Sequence, residues 1–573
     1  MLPLTHWIYS DKIDEAGTSL VRELGIHPLI ARILTHRGIT SPEEAKKFIF
    51  PSLGDLHNPF VMQDMEKGVD RTIDAVVKGE HIVVYGDYDA DGITATVALV
   101  KFLQSINGLV SFYIPNRINE GYGLNNDAID RLEKRSTKLI ITVDCGSSDR
   151  DEVAHAGSRG IDVIVLDHHE VPDILPDAQA VINPHRHDCA FPFKHLAGVG
   201  VVFNFLIALR GKLRNLGFWD GRDYPNLREY LDLVALGTIG DLVPLVDENR
   251  IFARFGIDLI NENRRTGISA LRTVSGYENR DVDSEASSFS LIPRINAAGR
   301  IGSSDNSVQL LLTHDKGDAF RSAELLDLQN RERQEMERLI LEEILEEIES
   351  RVNMDETYFL VFASPRWHPG VIGIVASKLV NRYYRPAFLI SLQDGIGKGS
   401  GRSIAEFNLY DGLKNTCESL LLSYGGHRFA AGITIREQDI SSFAAILNEE
   451  TKKCLGGERA VQKTTVDARC SLDDIDHDLV SQIAMLSPFG NGNPEPLFMM
   501  SGAKILSATV VGNNHLKMWL GREGKSFDAI WFNNGHLFQT LTGATVDVVF
   551  SPQINDWNGG RSIQLKIRDI SIA

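Results

Sequence analysis

The sequence of 573 residues is poor in cysteine: it has five, and no two of them form a CxxC pair. This excludes a structural zinc site built from cysteine pairs, and disulfides are not expected. No uninterrupted apolar stretch approaches the roughly 18 residues that a membrane-spanning helix needs. The N-terminus also shows no charged segment followed by a long apolar one. We therefore expect a cytoplasmic protein with no membrane partner.

Basic residues are in the minority as well, with 59 Lys and Arg against 77 Asp and Glu and a formal net charge of −18. This composition excludes a protein coated in basic surface, so nucleic acid would have to bind in a local groove. The chain shows no internal repeat and no low-complexity tract. Its length and its hydrophobic content of 43% are enough for about three or four domains.

Hydrophobic patterning divides the chain. From about residue 80 to 245, short apolar runs alternate with helical patterns, which is typical of a parallel sheet with helices on both faces. A stretch without Pro, and without Gly after Gly317, predicts one long helix. Short alternating segments near the C-terminus predict a barrel of about five or six strands. We expect an α/β protein consisting of an N-terminal helical segment (1–75), a parallel-sheet domain (76–315), a connecting helix (316–352), a second α/β domain (353–458) and an OB-like β-barrel (462–573).

The stretch VVYGDYDADGIT places three carboxylates, Asp87, Asp89 and Asp91, directly behind a pattern typical of a buried strand. Like charges so close together are costly unless a cation or several backbone N–H groups offset them. Taken alone, the stretch fits equally well an acidic loop that caps the following helix. The rest of the chain decides between these two interpretations.

Later patterns of the same region also end in potential metal ligands. IITVDCG delivers Asp144, VIVLDHH delivers Asp167, His168 and His169, and the helical pattern ALGTIG stops at Asp241. Because parallel strands point the same way, we expect these side chains to converge at one edge of the sheet. Carboxylates and imidazoles without thiolates favour Mn²⁺ or Mg²⁺. So many ligands indicate two ions bridged by a central carboxylate, which suits phosphoester hydrolysis.

Two glycine-rich stretches, GKGSGRS and GGHRFAAG, have the composition of phosphate-binding segments. Their glycines let backbone N–H groups approach an anion, and Lys398, Ser400, Arg402 and His427 are additional donors. Each stretch alone is a weak signal, since glycine turns beside an arginine are common on surfaces.

In order and spacing, DYDADG, VDCG, LDHH and GTIGDLVPL resemble the DHH phosphoesterases. RINAAGRIGSSDN, WHPGVIGIVASKL, GSGRS and GGHRFAAG are similar to the RecJ exonucleases in particular, so the resemblance runs from about residue 80 to the C-terminus. It implies a DHH domain, a DHH-associated substrate-binding domain and an OB fold for nucleic acid. It further implies a metal-dependent exonuclease that hydrolyses single-stranded DNA from the 5′ end to 5′-mononucleotides, in DNA repair and recombination.

The resemblance also implies roles for particular residues. Asp89, Asp91, Asp144, His168 and Asp241 are expected to bind two ions, Mn²⁺ or Mg²⁺, with Asp144 bridging them and Asp87 left open as a direct ligand. Asp144, His168 and His169 form the expected catalytic set, in which His169 contacts the scissile phosphate or lies at the edge of the metal shell. The expected substrate contacts are Arg117, Tyr122, Arg294, Arg300, Ser400, Arg402, Gly425, Gly426 and His427.

Two alternatives stay open at this point. A hydrolase of short oligonucleotides or cyclic dinucleotides would resemble the two α/β regions alone, so the barrel argues against it. A non-catalytic strand-binding or scaffold protein would show degraded ligands, and every expected ligand is present. The resemblance implies single-stranded DNA, single-strand-binding protein and a RecQ-type helicase as partners.

Overall fold

The computed structural model describes residues 5–9, 15–117, 119–512, 514–555 and 561–572, so parts of the predicted N-terminal segment, 1–4 and 10–14, lie outside the described residues. Within these ranges, no helix combines the length and the apolar character that crossing a membrane requires. The N-terminal elements are strand β1 (Thr5–Tyr9) and helices α1 (Glu15–Leu24), α2 (Pro28–His36), α3 (Pro42–Ile49) and α4 (Met65–Lys78). A capping box between Ser41 and Glu44, followed by a proline in the first turn, starts α3.

A parallel sheet lies at the centre of the first α/β domain. Its strands are β2 (His81–Gly86), β3 (Val110–Tyr113), β4 (Thr137–Val143), β5 (Asp162–Leu166) and β6 (Ala180–Ile182). They follow the order β3-β2-β4-β5-β6, and every neighbouring pair is parallel. The central strands are near-continuous apolar runs because helices cover both faces of the sheet. All five strands therefore end at the same edge.

Helices surround this sheet and continue into the connecting segment. They are α5 (Ala90–Ser105), α6 (Asn126–Glu133), α7 (Arg150–Ser158), α8 (Gly198–Asn215), α9 (Leu231–Gly240), α10 (Asp247–Glu262), α11 (Thr266–Val274), α12 (Ser284–Ala286), α13 (Ile292–Ile301), α14 (Asp305–Leu312) and α15 (Lys316–Arg351). Helix α15 is a single uninterrupted helix of 36 residues. Its Asp327 pairs with Arg294 of α13 at 2.7 Å, and its Glu337 pairs with Lys378 of the second α/β domain at 2.6 Å. The long helix thus forms ion pairs with both α/β domains.

The second α/β domain has a mixed sheet. Its elements are β7 (Leu360–Ser364), α16 (Ile372–Tyr383), β8 (Ala387–Gln393), β9 (Ile396–Arg402), α17 (Leu409–Gly412), β10 (Leu421–Gly426), β11 (Ala430–Arg436) and α18 (Ile440–Cys454). The order is β10-β11-β9-β8-β7, in which only β7 and β8 are parallel among the described pairs. Alternate glycines of β9 face the core, where a Cβ at Gly401 would lie 2.5 Å from the Phe388 ring.

The C-terminal part closes into a barrel. Its elements are β12 (Gln462–Val466), β13 (Ala468–Arg469), α19 (His477–Met485), β14 (Phe498–Val511), β15 (His515–Arg522), β16 (Lys525–Trp531), α20 (Phe538–Leu541), β17 (Thr545–Asn555) and β18 (Ser562–Ile572). Strands β14, β15, β16, β18 and β17 pair in that order, and β17 returns to β14. Two α/β domains, a long helix and a closed β-barrel confirm the predicted fold class.

The N-terminal elements divide between two cores. Apolar residues of α1 to α3, such as Leu20, Ile33 and Ala45, share a core with the barrel, and β1 pairs in parallel with β12. Helix α4 instead packs Met65 and Val69 into the first α/β domain. Sequence patterning treated this region as one peripheral segment, because local periodicity does not reveal which domain an amphipathic helix covers.

Candidate metal centre and phosphate-binding cleft

The acidic loop after β2 is held by its own backbone. Oδ1 of Asp89 accepts hydrogen bonds from the N–H groups of Asp91, at 2.9 Å, and Gly92, at 3.1 Å, and so caps α5. A Cβ at Gly92 would lie 2.6 Å from the backbone of Asp87, so this turn requires glycine. The capping interpretation is therefore correct for one oxygen of Asp89. It does not account for Asp87 and Asp91.

Helix α8 directs its N-terminus at this loop. Asp91 is buried, and its two oxygens accept hydrogen bonds from the N–H groups of Gly198, at 2.6 Å, and Val199, at 2.8 Å. A helix N-terminus stabilises a negative charge. Burial and the neighbouring Asp89 nevertheless raise the pKa of Asp91 to about 7. A Cβ at Gly198 would lie 2.8 Å from the Asp144 side chain, so the glycine allows this close approach.

Ligand atoms from different elements converge beside Asp91. Nε2 of His168 lies 3.1 Å from Oδ1 of Asp144, 3.6 Å from Oδ2 of Asp241 and 3.9 Å from Oδ2 of Asp91. Three sets of donor atoms lie within 4.8 Å of one another and can hold a metal ion: Asp87 with Asp89 and Asp144, Asp91 with His168 and Asp241, and Asp144 with His168 and His169. The structure thus brings together all the sequence-predicted ligands, and Asp87 with them.

Several of these atoms are buried without a partner. Among the described residues, Oδ1 of Asp87, Oδ1 of Asp144 and Nε2 of His168 are buried and accept or donate no hydrogen bond. Burial and adjacent carboxylates raise the pKa values of Asp87, Asp144 and Asp241 well above the ordinary range. Buried, unpaired oxygens of this kind are costly unless a cation neutralises them. The donor set therefore fits divalent cations that prefer oxygen ligands.

Asp167 differs from the other strand-end carboxylates. Its Oδ1 accepts from the N–H of His168, at 2.8 Å, and from Nδ1 of His169, at 2.8 Å, while Oδ2 accepts from the N–H of Ser147, at 3.0 Å. Burial opposes protonation of His169, but its hydrogen bond to Asp167 raises the His169 pKa to about 9. Asp167 therefore orients His169, and the initial grouping of Asp167 with the potential metal ligands does not fit its hydrogen bonds.

Tyr122 lies at the rim of the same site. Its hydroxyl donates to the backbone carbonyl of Asp144 at 3.0 Å and lies 3.1 Å from Nδ1 of His169. The side chain is 46% exposed, so its ring remains available to a ligand. The structure therefore places Tyr122 next to the metal-binding residues.

Arg117 interacts electrostatically with both Arg300 and Arg402, and we call these three residues the arginine cluster. Burial and repulsion by Arg117 lower the pKa of Arg300 to about 10, and the same two causes lower the pKa of Arg402. Arg300 donates to the Gly370 carbonyl at 3.2 Å, which joins the two α/β domains. Repulsion within the cluster would be relieved by an anion, so the cleft between these domains has the character of a phosphate site.

A bare sheet face borders the arginine cluster. Ser400, Gly432 and Gly425 form one row across β9, β11 and β10. A Cβ at Gly425 would meet nothing within 4 Å, so the backbone there is open to a ligand. Gly426 has a positive φ of 143°, and its conformation serves the hairpin. His427 is exposed in the hairpin turn, where its N–H donates to the Ala430 carbonyl at 2.8 Å.

Arg294 was expected to contact the substrate, but its guanidinium is hydrogen-bonded to other groups of the protein. Its guanidinium donates to Asp327 at 2.9 Å and also to the Ser290 carbonyl at 2.5 Å. The bond to Asp327 joins α13 to α15, so the Arg294 guanidinium is already engaged within the described part of the chain. Arg300, six residues further along α13, instead donates to the Gly370 carbonyl of the second α/β domain.

Sequence reasoning missed two asparagines that support the metal-binding loops. Oδ1 of Asn296 accepts from the Ala90 N–H at 2.7 Å. Asn491 of the barrel region accepts from the Leu245 N–H at 2.7 Å through its carbonyl and donates to the Leu242 carbonyl at 2.8 Å. Asn296 lies in a motif that was noticed for its arginines, whereas nothing local marks the contacts of Asn491.

Family models match three parts of the chain. They are described as the DHH family N-terminal domain (residues 81–238), the DHHA1 domain (residues 355–453) and the RecJ OB domain (residues 466–569). The first covers the strand-end ligands, and the second covers Ser400 and Arg402 of the cleft.

Curated relatives and a solved structure match over nearly the whole length. The single-stranded-DNA-specific exonuclease RecJ of Bacillus subtilis (strain 168) is 39% identical over 560 residues, which cover 97% of this chain and 69% of that protein. The protein of the same name from Escherichia coli (strain K12) is 37% identical over 560 residues, covering 95% and 96% of the two chains. The crystal structure of RecJ in complex with Mn²⁺ from Thermus thermophilus has a TM-score of 0.84 and 29% identity, covering 99% and 80%.

Proposed function

The chain belongs to the RecJ family of single-stranded-DNA-specific exonucleases, and we propose that it hydrolyses single-stranded DNA from the 5′ end, releasing 5′-mononucleotides. One observation supports this proposal: the metal-ligand atoms that lack hydrogen bonds adjoin the arginine cluster, since Arg117 interacts electrostatically with Asp87. The two are directly linked, because the Arg117 guanidinium lies 4.9 Å from the ring centre of Tyr88, which stands between Asp87 and Asp89. A terminal phosphate and a scissile phosphodiester can therefore be held side by side.

The cofactor of this enzyme is Mn²⁺ or Mg²⁺, as in the Thermus thermophilus structures of RecJ with either ion. We infer that Asp87, Asp89 and Asp144 would hold one ion and that Asp91, His168 and Asp241 would hold a second, because the donor atoms of each set converge. Oδ1 of Asp144 lies 3.1 Å from Nε2 of His168, so Asp144 borders both sets. When bound, such ions would activate water for attack on the phosphodiester and stabilise the negative charge that develops at phosphorus.

The remaining residues of the cleft bind and orient the strand. His169, oriented by its hydrogen bond to Asp167, faces the scissile phosphate as a donor. Arg402, Ser400 and Arg117 hold the terminal 5′ phosphate, where the planar guanidinium can form two parallel hydrogen bonds. A phosphate held at a fixed distance from the metals sets a step of one nucleotide.

The test uses single strands labelled at the 5′ or the 3′ end, a duplex and dinucleotides, each with and without Mn²⁺. We expect the 5′ label to appear as mononucleotide in the first turnovers, while the 3′ label stays on shortening strands. The duplex should be a poor substrate. Early release of the 3′ label would contradict the proposed polarity. Preference for dinucleotides over long strands would favour the alternative, a hydrolase of short oligonucleotides or cyclic dinucleotides.

The barrel supports a substrate longer than a dinucleotide, because OB folds grip single strands along a groove. We assign the protein to DNA repair and recombination in the cytoplasm. Cooperation with single-strand-binding protein and a RecQ-type helicase stays a prediction, and affinity capture with each purified partner would test it.

A further inference from the structure

We propose that Tyr88 is a positioning residue that holds Arg117 over the site of the 5′ phosphate, and thereby links recognition of the strand end to the metal-binding loop. This inference rests on the proposed function of the arginine cluster. Tyr88 stands between two of the proposed metal ligands, Asp87 and Asp89. A change at its ring would thus alter end recognition without removing a metal ligand.

The backbone around Tyr88 is fixed by α13 and by the residue that precedes α14. Its carbonyl accepts a hydrogen bond from the Ser304 hydroxyl at 3.2 Å. A Cβ at Gly299 would lie 2.5 Å from the same carbonyl, so α13 packs directly against it. Two residues further on, the Ala90 N–H donates to Oδ1 of Asn296 at 2.7 Å. The half-buried Tyr88 ring therefore has a defined position from which to hold a neighbour.

Arg117, by contrast, is exposed in the segment between β3 and α6. In the described part of the chain, no hydrogen bond or ion pair engages its guanidinium, and the face of the Tyr88 ring is its aromatic contact. The other two arginines of the cluster, Arg300 and Arg402, repel Arg117. The attraction between a guanidinium and an aromatic face opposes this repulsion and keeps Arg117 in the cleft before an anion arrives.

The test compares Tyr88→Phe, which keeps the ring face, with Tyr88→Leu, which removes it. The Tyr88 hydroxyl makes no hydrogen bond within the described residues, so phenylalanine is a matched control. The measurements are kcat/KM on 5′-phosphorylated and 5′-hydroxyl strands, and Mn²⁺ affinity by calorimetry. We expect Tyr88→Leu to reduce the preference for the 5′ phosphate by about 3- to 30-fold. Mn²⁺ affinity should stay unchanged, and Tyr88→Phe should retain the preference.

Tyr88→Met gives a second measurement with an unbranched side chain that adapts to irregular space, in case the leucine variant does not fold. Equal losses on both substrates, or weaker Mn²⁺ binding in Tyr88→Leu and Tyr88→Met, would show that Tyr88 only supports the metal loop and would overturn the proposal. So would a loss of the preference in Tyr88→Phe, because its ring face is intact.

Arg117→Ala separates this inference from the function on which it rests. If Arg117→Ala abolishes the 5′-phosphate preference while Tyr88→Leu keeps it, the proposal for Tyr88 is wrong and the arginine cluster stands. If Arg117→Ala also leaves the preference intact, the proposed end site is wrong, and the inference fails with it. The double variant Tyr88→Leu/Arg117→Ala should lose no more than Arg117→Ala alone, because both changes remove the same interaction.

Discussion

At the level of single residues, Asp91 and Asp144 are both buried carboxylates, but the protein holds them in different ways. Asp91 accepts hydrogen bonds from two backbone N–H groups of α8, whereas Oδ1 of Asp144 accepts no hydrogen bond from the described residues. The charge of Asp91 is partly balanced by the protein itself. Asp144 depends on a bound cation for its charge balance. A substitution at Asp144 therefore tests metal binding more directly than a substitution at Asp91.

Asp144→Asn should abolish hydrolysis and leave binding of single strands largely intact. A neutral amide cannot bridge two ions, whereas most strand affinity comes from phosphate contacts elsewhere. Turnover at saturating Mn²⁺ and a filter-binding assay measure the two effects. Asp258→Asn, which changes an exposed carboxylate of the same domain, should behave like the wild type. Near-normal turnover of Asp144→Asn would refute the bridging role.

The stability of the metal-free protein should depend on pH through the same carboxyl group. The pKa of Asp144 is raised in the folded state by burial and by neighbouring carboxylates. The unfolded chain therefore loses this proton first, and stability falls as the pH rises above the ordinary carboxyl range of about 4. Melting temperatures at increasing pH should separate the two proteins, with Asp144→Asn becoming progressively more stable than the wild type. A constant difference would mean that Asp144 has an ordinary pKa; adding Mn²⁺ should reverse the order.

At the level of secondary structure, the glycines of β9, β10 and β11 serve two different purposes. Gly401 faces the core, where a Cβ would meet the Phe388 ring at 2.5 Å, whereas Gly425 faces open space beside Ser400 and Gly432. Strand alternation produces both roles, because neighbouring residues point to opposite faces. One sheet thus packs its core tightly and leaves a bare surface next to the arginine cluster.

Gly425→Val should fold normally and bind single strands more weakly, since the new side chain would occupy the bare face that we assign to the strand. Fluorescence anisotropy with a labelled single strand measures the loss, which we expect to be about tenfold for one obstructed phosphate contact. Gly401→Val is the contrasting change and should lower the melting temperature, because it overpacks the core. Full strand affinity in a folded Gly425→Val protein would show that the strand does not cross this face.

At the level of the whole molecule, the two ends of the chain form one unit. Helices α1 to α3 and the barrel share a core. Arg250 of α10, only 2% exposed, joins this unit to the first α/β domain: it donates to the carbonyls of Phe48, Leu486 and Ser487 at 2.7 to 2.9 Å. Asn491 of the barrel region also forms hydrogen bonds with Leu242 and Leu245, which follow Asp241 in the metal-binding loop. The barrel therefore contacts both the N-terminal helices and the metal-binding loop.

Removing the barrel alone should therefore be more damaging than removing the whole unit. A chain of residues 1–461 would expose the apolar faces of α1 to α3, whereas a chain of residues 51–461 would lose those helices as well and return Arg250 to water. We expect 1–461 to bind a hydrophobic dye and aggregate, and 51–461 to melt cooperatively. Equal behaviour of the two chains would contradict the shared core.

In 51–461, the loss of Asn491 should also weaken Mn²⁺ binding several-fold, because the loop that bears Asp241 loses its support; calorimetry measures this affinity.

The sequence by itself determined where the ligands would meet. Apolar runs followed by Asp87, Asp144 and His168 were sufficient, because any set of parallel strands in one sheet brings its carboxyl ends to the same edge. The long helix and the barrel followed from local periodicity in the same way. Chemistry that depends on residue type and strand direction can therefore be predicted without distances.

Only the tertiary structure decided which of these groups are free to bind and which are already engaged. The N–H groups that hold Asp91 come from residues more than a hundred positions away, and Arg294 is occupied by Asp327 of another helix. The pairing of α1 to α3 with the barrel and the contact of Arg117 with Tyr88 likewise join distant parts of the chain. These contacts depend on how whole elements pack against one another, and no local pattern of residues encodes that packing.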